Sequence, residues 1–205
     1  MTTHVECKAT TRRHRSGSGA HVHLAAAFAL VALIGPSAAA AQDPPPFARS
    51  STLKVKTWTD QHPAVTLEYP AKDWQVSGHG LASLVTLDHN TGDAAAVLEY
   101  EVRERPTPAR LVNDTFVAIE QDLIRTADPQ VKDINGRILT VGERRIVMLD
   151  FTRSWSSRTE RVRVYVIPLE RQVFRLVCWA LPETFGRYEP VFSHIAASFA
   201  GSPTP

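Results

Sequence analysis

Two runs of this chain, Ile146-Val-Met-Leu-Asp-Phe151 and Val173-Phe-Arg-Leu-Val-Cys-Trp-Ala180, are apolar at both strand parities, the second only mostly so, with Arg175 the exception. Strand side chains alternate between the two faces of a sheet, so a strand that is apolar at both parities needs cover on both sides. Between these runs, Arg161-Val-Arg-Val-Tyr-Val166 alternates strictly. Alternation places Val162, Val164 and Val166 inward and Arg161, Arg163 and Tyr165 outward, with Pro168 closing the strand. The centre of the fold is therefore a sheet with apolar layers above and below it.

The remaining elements supply those layers. Val65-Thr-Leu-Glu-Tyr69 reads as a strand stopped by Pro70, with a turn before Trp74. Leu84–Leu87 and Ala95–Val102 read as strands joined across Asp88-His-Asn-Thr-Gly-Asp93, whose Asn and Gly suit positive φ. Thr107 is expected to cap a helix with Pro108 at its first position. Val112, Phe116, Ile119 and Leu123 follow at a spacing that puts all four on one face, and Asp128-Pro129 ends the helix. Val131–Thr140 is a further strand, or two short ones turning at Asn135-Gly136. A last helix spans Pro182 to Phe199, with Phe185, Tyr188, Phe192, Ile195 and Phe199 on its apolar side and Pro190 expected to kink or split it. Short strands with tight turns and helices at only two places predict an α+β fold. The expected architecture is a single antiparallel sheet of about six or seven strands with helices on both faces, an α/β/α sandwich.

The N-terminus reads as an export leader. Leu24–Ile34 is an uncharged apolar run of about eleven residues, a length that suits a signal h-region and is short for a membrane span. Arg12, Arg13 and Arg15 precede it, and Ala39-Ala40-Ala41 offers small residues for cleavage, between Ala41 and Gln42. A retained anchor helix is the alternative, opposed by Gly35-Pro36. The twin-Arg pair lacks the apolar residues that normally follow it, which favours general secretion. No Cys follows the apolar run, so no lipoprotein anchor is expected. The expected organisation is a cleaved leader over 1–41, a Pro-rich linker over 42–52, one domain over 53–200 and a tail over 201–205, periplasmic or secreted and without a membrane span after cleavage.

Removing the leader changes the charge argument. Of 23 basic and 21 acidic residues, Lys8, Arg12, Arg13, Arg15 and Glu6 lie in residues 1–41, so the remainder is net −1. No nucleic-acid footprint follows from so balanced a chain. Cys7 departs with the leader and Cys178 is left alone in an apolar run, where a buried inert thiol is expected rather than a nucleophile.

No catalytic signature is visible. His62, His79, His89 and His194 are scattered without metal-ligand spacing, and Ser193 beside His194 makes no nucleophile–base pair, because neighbours on a helix diverge. Residues 88–93 lack the acidic spacing of an EF-hand and read as a plain hairpin loop. No nucleophile elbow or phosphate loop is present, and Gly78-His-Gly80 is too short for either. No catalytic residue, cofactor or metal is expected.

Three stretches carry a family likeness. Thr66-Leu-Glu-Tyr-Pro with Trp74, Trp155 to Pro168, and Val173–Ala180 running into Phe185, Tyr188, Phe192, Ile195 and Ser198-Phe199 resemble the superfamily typified by the PsbP subunit of photosystem II and the periplasmic protein DcrB. The resemblance implies a sheet with helices on both sides and an accessory, assembly or binding role without enzyme activity. It carries over no ligand residues.

The expected function is thus a non-enzymatic exported accessory, assembly or binding protein of the cell envelope, monomeric and with a protein partner there. The alternatives are a small-molecule or anionic-ligand carrier, and a hydrolase whose residues converge only in space. Trp155, Arg158, Arg161 and Arg163 form the candidate partner surface, because Trp and Arg favour binding hot spots. The competing expectation is a strand face with its arginines paired to carboxylates and Trp155 folded onto the core.

Overall fold

The structure is a computed structural model that describes residues 52–78, 83–141, 143–155 and 158–201. The expected leader, its cleavage residues Ala39, Ala41 and Gln42, and the linker up to Ser51 lie outside the described residues.

Among the described residues, ten strands and two α-helices follow in the order β1 (Val55–Gln61), β2 (Ala64–Pro70), β3 (Trp74–Gly78), β4 (Ser83–His89), β5 (Ala94–Val102), α1 (Asp114–Ala127), β6 (Lys132–Val141), β7 (Arg144–Trp155), β8 (Arg158–Leu169), β9 (Gln172–Ala180), α2 (Phe185–Ser198) and β10 (Ala200–Gly201). The class is α+β as expected, but the strands form two sheets rather than one. Seven antiparallel strands in the order β3-β4-β5-β9-β8-β7-β6 make the main sheet, and β1-β2-β10 make a second. The second sheet escaped the sequence reading because β1 is exposed at nearly every position and β10 is two residues long, so neither shows an apolar period. Gly201, expected in the tail, pairs with Val65.

The two-sided central strands are covered as their composition demands. On one face Val147, Leu149, Phe151, Val162, Val164, Val166 and Val173 pack with Val112, Phe116 and Val117 at α1. On the other, Ile146, Met148, Tyr165, Ile167, Phe174, Leu176 and Cys178 pack with α2 and with Val65 and Leu67 of the second sheet.

Helix α1 begins later and turns further than its spacing suggests. Thr107-Pro108 leads only into a short 3-10 turn at Ala109–Leu111, and Asn113 is the cap, its side chain accepting from the Phe116 amide at 3.1 Å. Ile119 and Leu123 are 49% and 47% exposed, whereas Glu120 is only 2% exposed. A salt-bridge cluster turns the helix. Glu120 accepts from Arg103 at 2.8 Å and from Arg175 at 3.0 Å, so the carboxylate that faces inward is paired where it is buried, and Ile119 and Leu123 are left on the outer side.

Helix α2 follows its spacing. Phe185, Tyr188, Phe192 and Ile195 are buried, as is Phe199 just beyond. Pro190 lies inside the helix without splitting it. Its ring sits on the exposed side, one turn from exposed Gly186, where the released carbonyl meets water. Val131–Thr140 is one strand rather than two, with its irregularity between Lys132 and Asn135 and positive φ at Asp133. Pro168 lies within β8 rather than closing it.

Candidate functional site

The sheet separates Arg158 from Arg161 and Arg163 of the expected partner surface. Arg161 and Arg163 pair across β9 with Ala180 and Cys178, on the face that carries α2, and Arg158 belongs to the opposite parity of β8. The Arg158 guanidinium stands 5.0 Å from the Trp179 ring centroid, and that of Arg161 stands 4.5 Å from the Phe185 ring on α2. Arg163, expected outward, is 2% exposed. It donates to Asp150 at 2.7 Å and to Glu189 of α2 at 2.5 Å. Burial alone would ease its proton off, but the Asp150 carboxylate holds the guanidinium more firmly charged than usual. Tyr165, also expected outward, is fully buried and its phenol is pushed up to about 12, chiefly by burial. The physical reason is α2: alternation marks the two faces of a strand, but only tertiary packing decides whether the polar one meets water. For Trp155 the backbone ends β7, and its side chain lies outside the description.

A better-formed site lies elsewhere. A half-open cavity of about 460 Å³ opens where the coil before β1, the turn from β2 to β3, the β4–β5 hairpin and α2 converge. Its wall is aromatic: the Trp74 ring meets those of His89 and Tyr188 edge-on, at 5.5 and 6.1 Å between centroids. Leu53, Pro70 and Val191 complete an apolar lining, and Lys54, Lys72, Asp73 and Arg187 stand at its mouth. Backbone bonds fix the rim. Ala71 N–H donates to the Lys54 carbonyl and Asn90 N–H to the Asp73 carbonyl, both at 2.8 Å. Asp73 holds a positive φ of 65°, which makes the tight turn that delivers Trp74 into β3.

Behind the wall, the hairpin expected as a plain loop carries a polar network. His89 Nδ1 lies 2.6 Å from Thr91 Oγ1 and 3.3 Å from Asp93, and the Tyr188 hydroxyl donates to Asp93 at 2.9 Å. The Thr91 hydroxyl also donates to Asp93. Burial would raise the Asp93 carboxyl, but the Thr91 and Tyr188 hydroxyls outweigh it and hold it below the ordinary range. Burial, then Asp93 itself, pushes the Tyr188 phenol up. A hydrolytic relay places nucleophile and acid on opposite nitrogens of the imidazole; here Thr91 and Asp93 both meet Nδ1. The network orients the ring and closes the hairpin, whose Gly92 has φ 69°.

Among the other histidines, His194 is buried with Nε2 3.4 Å from Glu68, His62 is exposed, and His79 lies outside the described residues. Among the described residues no group of three or more His, Cys, Asp or Glu could hold a metal ion. Cys178 is fully buried, and burial pushes its thiol far above the usual range. Among the described residues no helix is long and apolar enough to cross a membrane.

Sequence reasoning missed the cavity because its parts come from four separate stretches, each explicable alone. Trp74, after the Tyr-Pro turn, was the visible signal. No family model and no curated relative matches the chain. Comparison with solved structures places its architecture. The cyanobacterial PsbP (CyanoP) of Synechocystis superposes with a TM-score of 0.58 at 13% identity, over 77% of this chain and 99% of that one. The fold is PsbP-like. LpqN, described as involved in cell envelope biogenesis of Mycobacterium tuberculosis, shares the PsbP-like frame at 16% identity, with a TM-score of 0.50 over 74% of this chain and 92% of its own.

Proposed function

We propose that this chain is an exported, non-catalytic accessory protein of the cell envelope that works by binding, with the cavity beside Trp74 as its site. The observation that carries the reading is the cavity itself. It is concave, walled by fixed aromatic rings and ringed by cations, and a ligand site has that form. The arrangement at His89 supports binding over hydrolysis, because it lacks the relay geometry of a nucleophile and its base. Export is supported by the order of charged, apolar and small residues over 12–41, and the envelope by the role described for LpqN, which shares the fold. The fold alone carries no function, so the site bears the argument.

The test is capture from an envelope extract by the immobilised chain, run beside Val191→Phe, which fills the cavity from α2. A partner or ligand retained by the parent chain and lost by the variant is the expected result. Identical captures by both would remove the cavity from the function. Turnover of a general esterase or phosphatase substrate, abolished by His89→Ala, would overturn the non-catalytic reading.

A further inference from the structure

The cavity beside Trp74 has a second property, which concerns what it holds. Elsewhere in the main sheet the more buried guanidiniums are answered by carboxylates: Arg163 by Asp150 and Glu189, Arg175 by Glu120 and Glu101, Arg153 by Glu160. At the cavity mouth the balance differs. Lys54, Lys72 and Arg187 line it, with Asp73 the sole carboxylate among its lining residues. That carboxylate reaches Lys72 only at 3.9 Å, with both side chains largely in water, so it neutralises little. Arg187 contacts the face of Tyr188, its Cζ 5.7 Å from the ring centroid. Cations from three separate segments thus line one cavity together with an apolar aromatic wall.

We propose that the cavity binds a small organic anion, with a flat apolar body against Trp74 and Tyr188 and an acidic head group among Lys54, Lys72 and Arg187. The inference rests on the binding function proposed above and names the ligand class for that site. Three arguments lead to it. A volume of about 460 Å³ suits a compact molecule and lies inside the range of about 300–1,000 Å³ typical of such pockets. Aromatic rings held edge-on to one another present a stiff wall that loses little freedom when a flat body lies on it. A guanidinium and two ammonium groups lining one cavity favour a carboxylate, sulfonate or phosphate over a neutral head, and the Arg187 fork suits its paired oxygens. A linear polyanion is disfavoured, because the charges surround a concavity instead of following a stripe.

A matched pair of fluorescent probes tests this. Anilinonaphthalene sulfonate and N-phenyl-naphthylamine share an aromatic body and differ by the sulfonate. The purified chain is expected to bind one equivalent of the sulfonate, about tenfold or more tighter than the neutral probe, the advantage of a charge-assisted contact. Arg187→Ala and Lys54→Glu should each erase most of that advantage, read as the ratio of the two probes' affinities in the same variant. Arg187→Lys should restore part of it. Arg137→Glu, on the distant edge strand β6, serves as the charge control. Equal affinity for both probes, or sulfonate binding indifferent to Arg187 and Lys54, overturns the ligand class. Circular dichroism on each variant separates lost binding from lost fold, and Lys54 and Arg187, both exposed, are the substitutions least able to unfold the chain. The two proposals fail differently. A cavity that Val191→Phe closes to an envelope partner, but that shows no preference for the sulfonate, keeps the binding function and loses the organic anion.

Discussion

The hydroxyl of Ser198 takes the place of a strand beside Glu68. It accepts the Glu68 amide hydrogen at 2.8 Å and lies 3.3 Å from the Glu68 carbonyl and 2.7 Å from that of Ile195. The last turn of α2 is thereby joined to β2, just before β10 pairs with Thr66 and Val65. Ser198→Ala leaves the Glu68 amide without that acceptor and should lower stability by about 1–3 kcal/mol, read as a fall in urea midpoint at unchanged slope. Ser198→Thr keeps the oxygen and should recover part of the loss.

Arg163 offers a sharper test, because its sequence neighbourhood and its environment give opposite answers. As an outward strand residue it would tolerate replacement within about 0.5 kcal/mol. As a buried cation, it pairs with Asp150, mostly covered, and with Glu189, which still reaches water; Arg163→Ala leaves Asp150 without its bidentate partner and should cost about 1–3 kcal/mol in chemical denaturation. Arg161→Ala, two register pairs away and exposed, should cost far less.

Gly136 lies beneath α1. A Cβ there would collide with Val117 Cγ1 and stand 3.0 Å from Leu149 Cδ2 and from Gln121 Nε2, whose donated bond to the Ile134 carbonyl pins the helix to β6. Gly136→Ala should lower the melting temperature, at a cost of about 1–3 kcal/mol from overpacking. Pairing it with Val117→Ala should return part of that, a coupling a double-mutant cycle reads directly.

Glu99 gives a pH dependence of defined sign. Burial raises its carboxyl above the ordinary value, against the opposing pull of Arg175 and Arg153. A carboxyl raised in the folded state favours the protonated form there, so its contribution to stability is greatest at low pH and is lost as pH rises through the folded value. Glu99→Gln should therefore raise the melting temperature at pH 7, and the gain should shrink toward zero as pH falls below the ordinary carboxyl range. A gain that grows in acid would contradict the assignment.

Export makes the remaining prediction. The released protein should begin at Gln42, after Ala41, in a periplasmic or extracellular fraction. Intact-mass analysis showing Met1 retained, or fractionation leaving the chain in the cytosol, would contradict it.

The sheet core was legible because its signal is local. Ile146–Phe151 and Val173–Ala180 are apolar at both parities, and the structure covers both faces of β7 and β9. Phe185, Tyr188, Phe192 and Ile195 were likewise fixed by their period, and the PsbP-like likeness drawn from these residues holds. Failure came where charge overrode period. Glu120 turned α1 away from Ile119 and Leu123, and Arg163 went inward because Asp150 and Glu189 meet it there. Neither partner is visible from the strand or helix alone. The cavity was illegible for a related reason: Lys54, Trp74, His89 and Arg187 become one site only after four segments converge, and no local period encodes convergence.

The place of β2 has a consequence for how the chain matures. Its two neighbours are the first and last strands of the described residues, and Glu68 waits for Ser198, 130 positions away. β1 can pair with β2 locally, but β10 must come from the far end of the described residues, and pairing across so long a separation is slow to form. A fold that delays closure in this way keeps one edge of β2 open until β10 arrives, so the second sheet is the part of the molecule completed last.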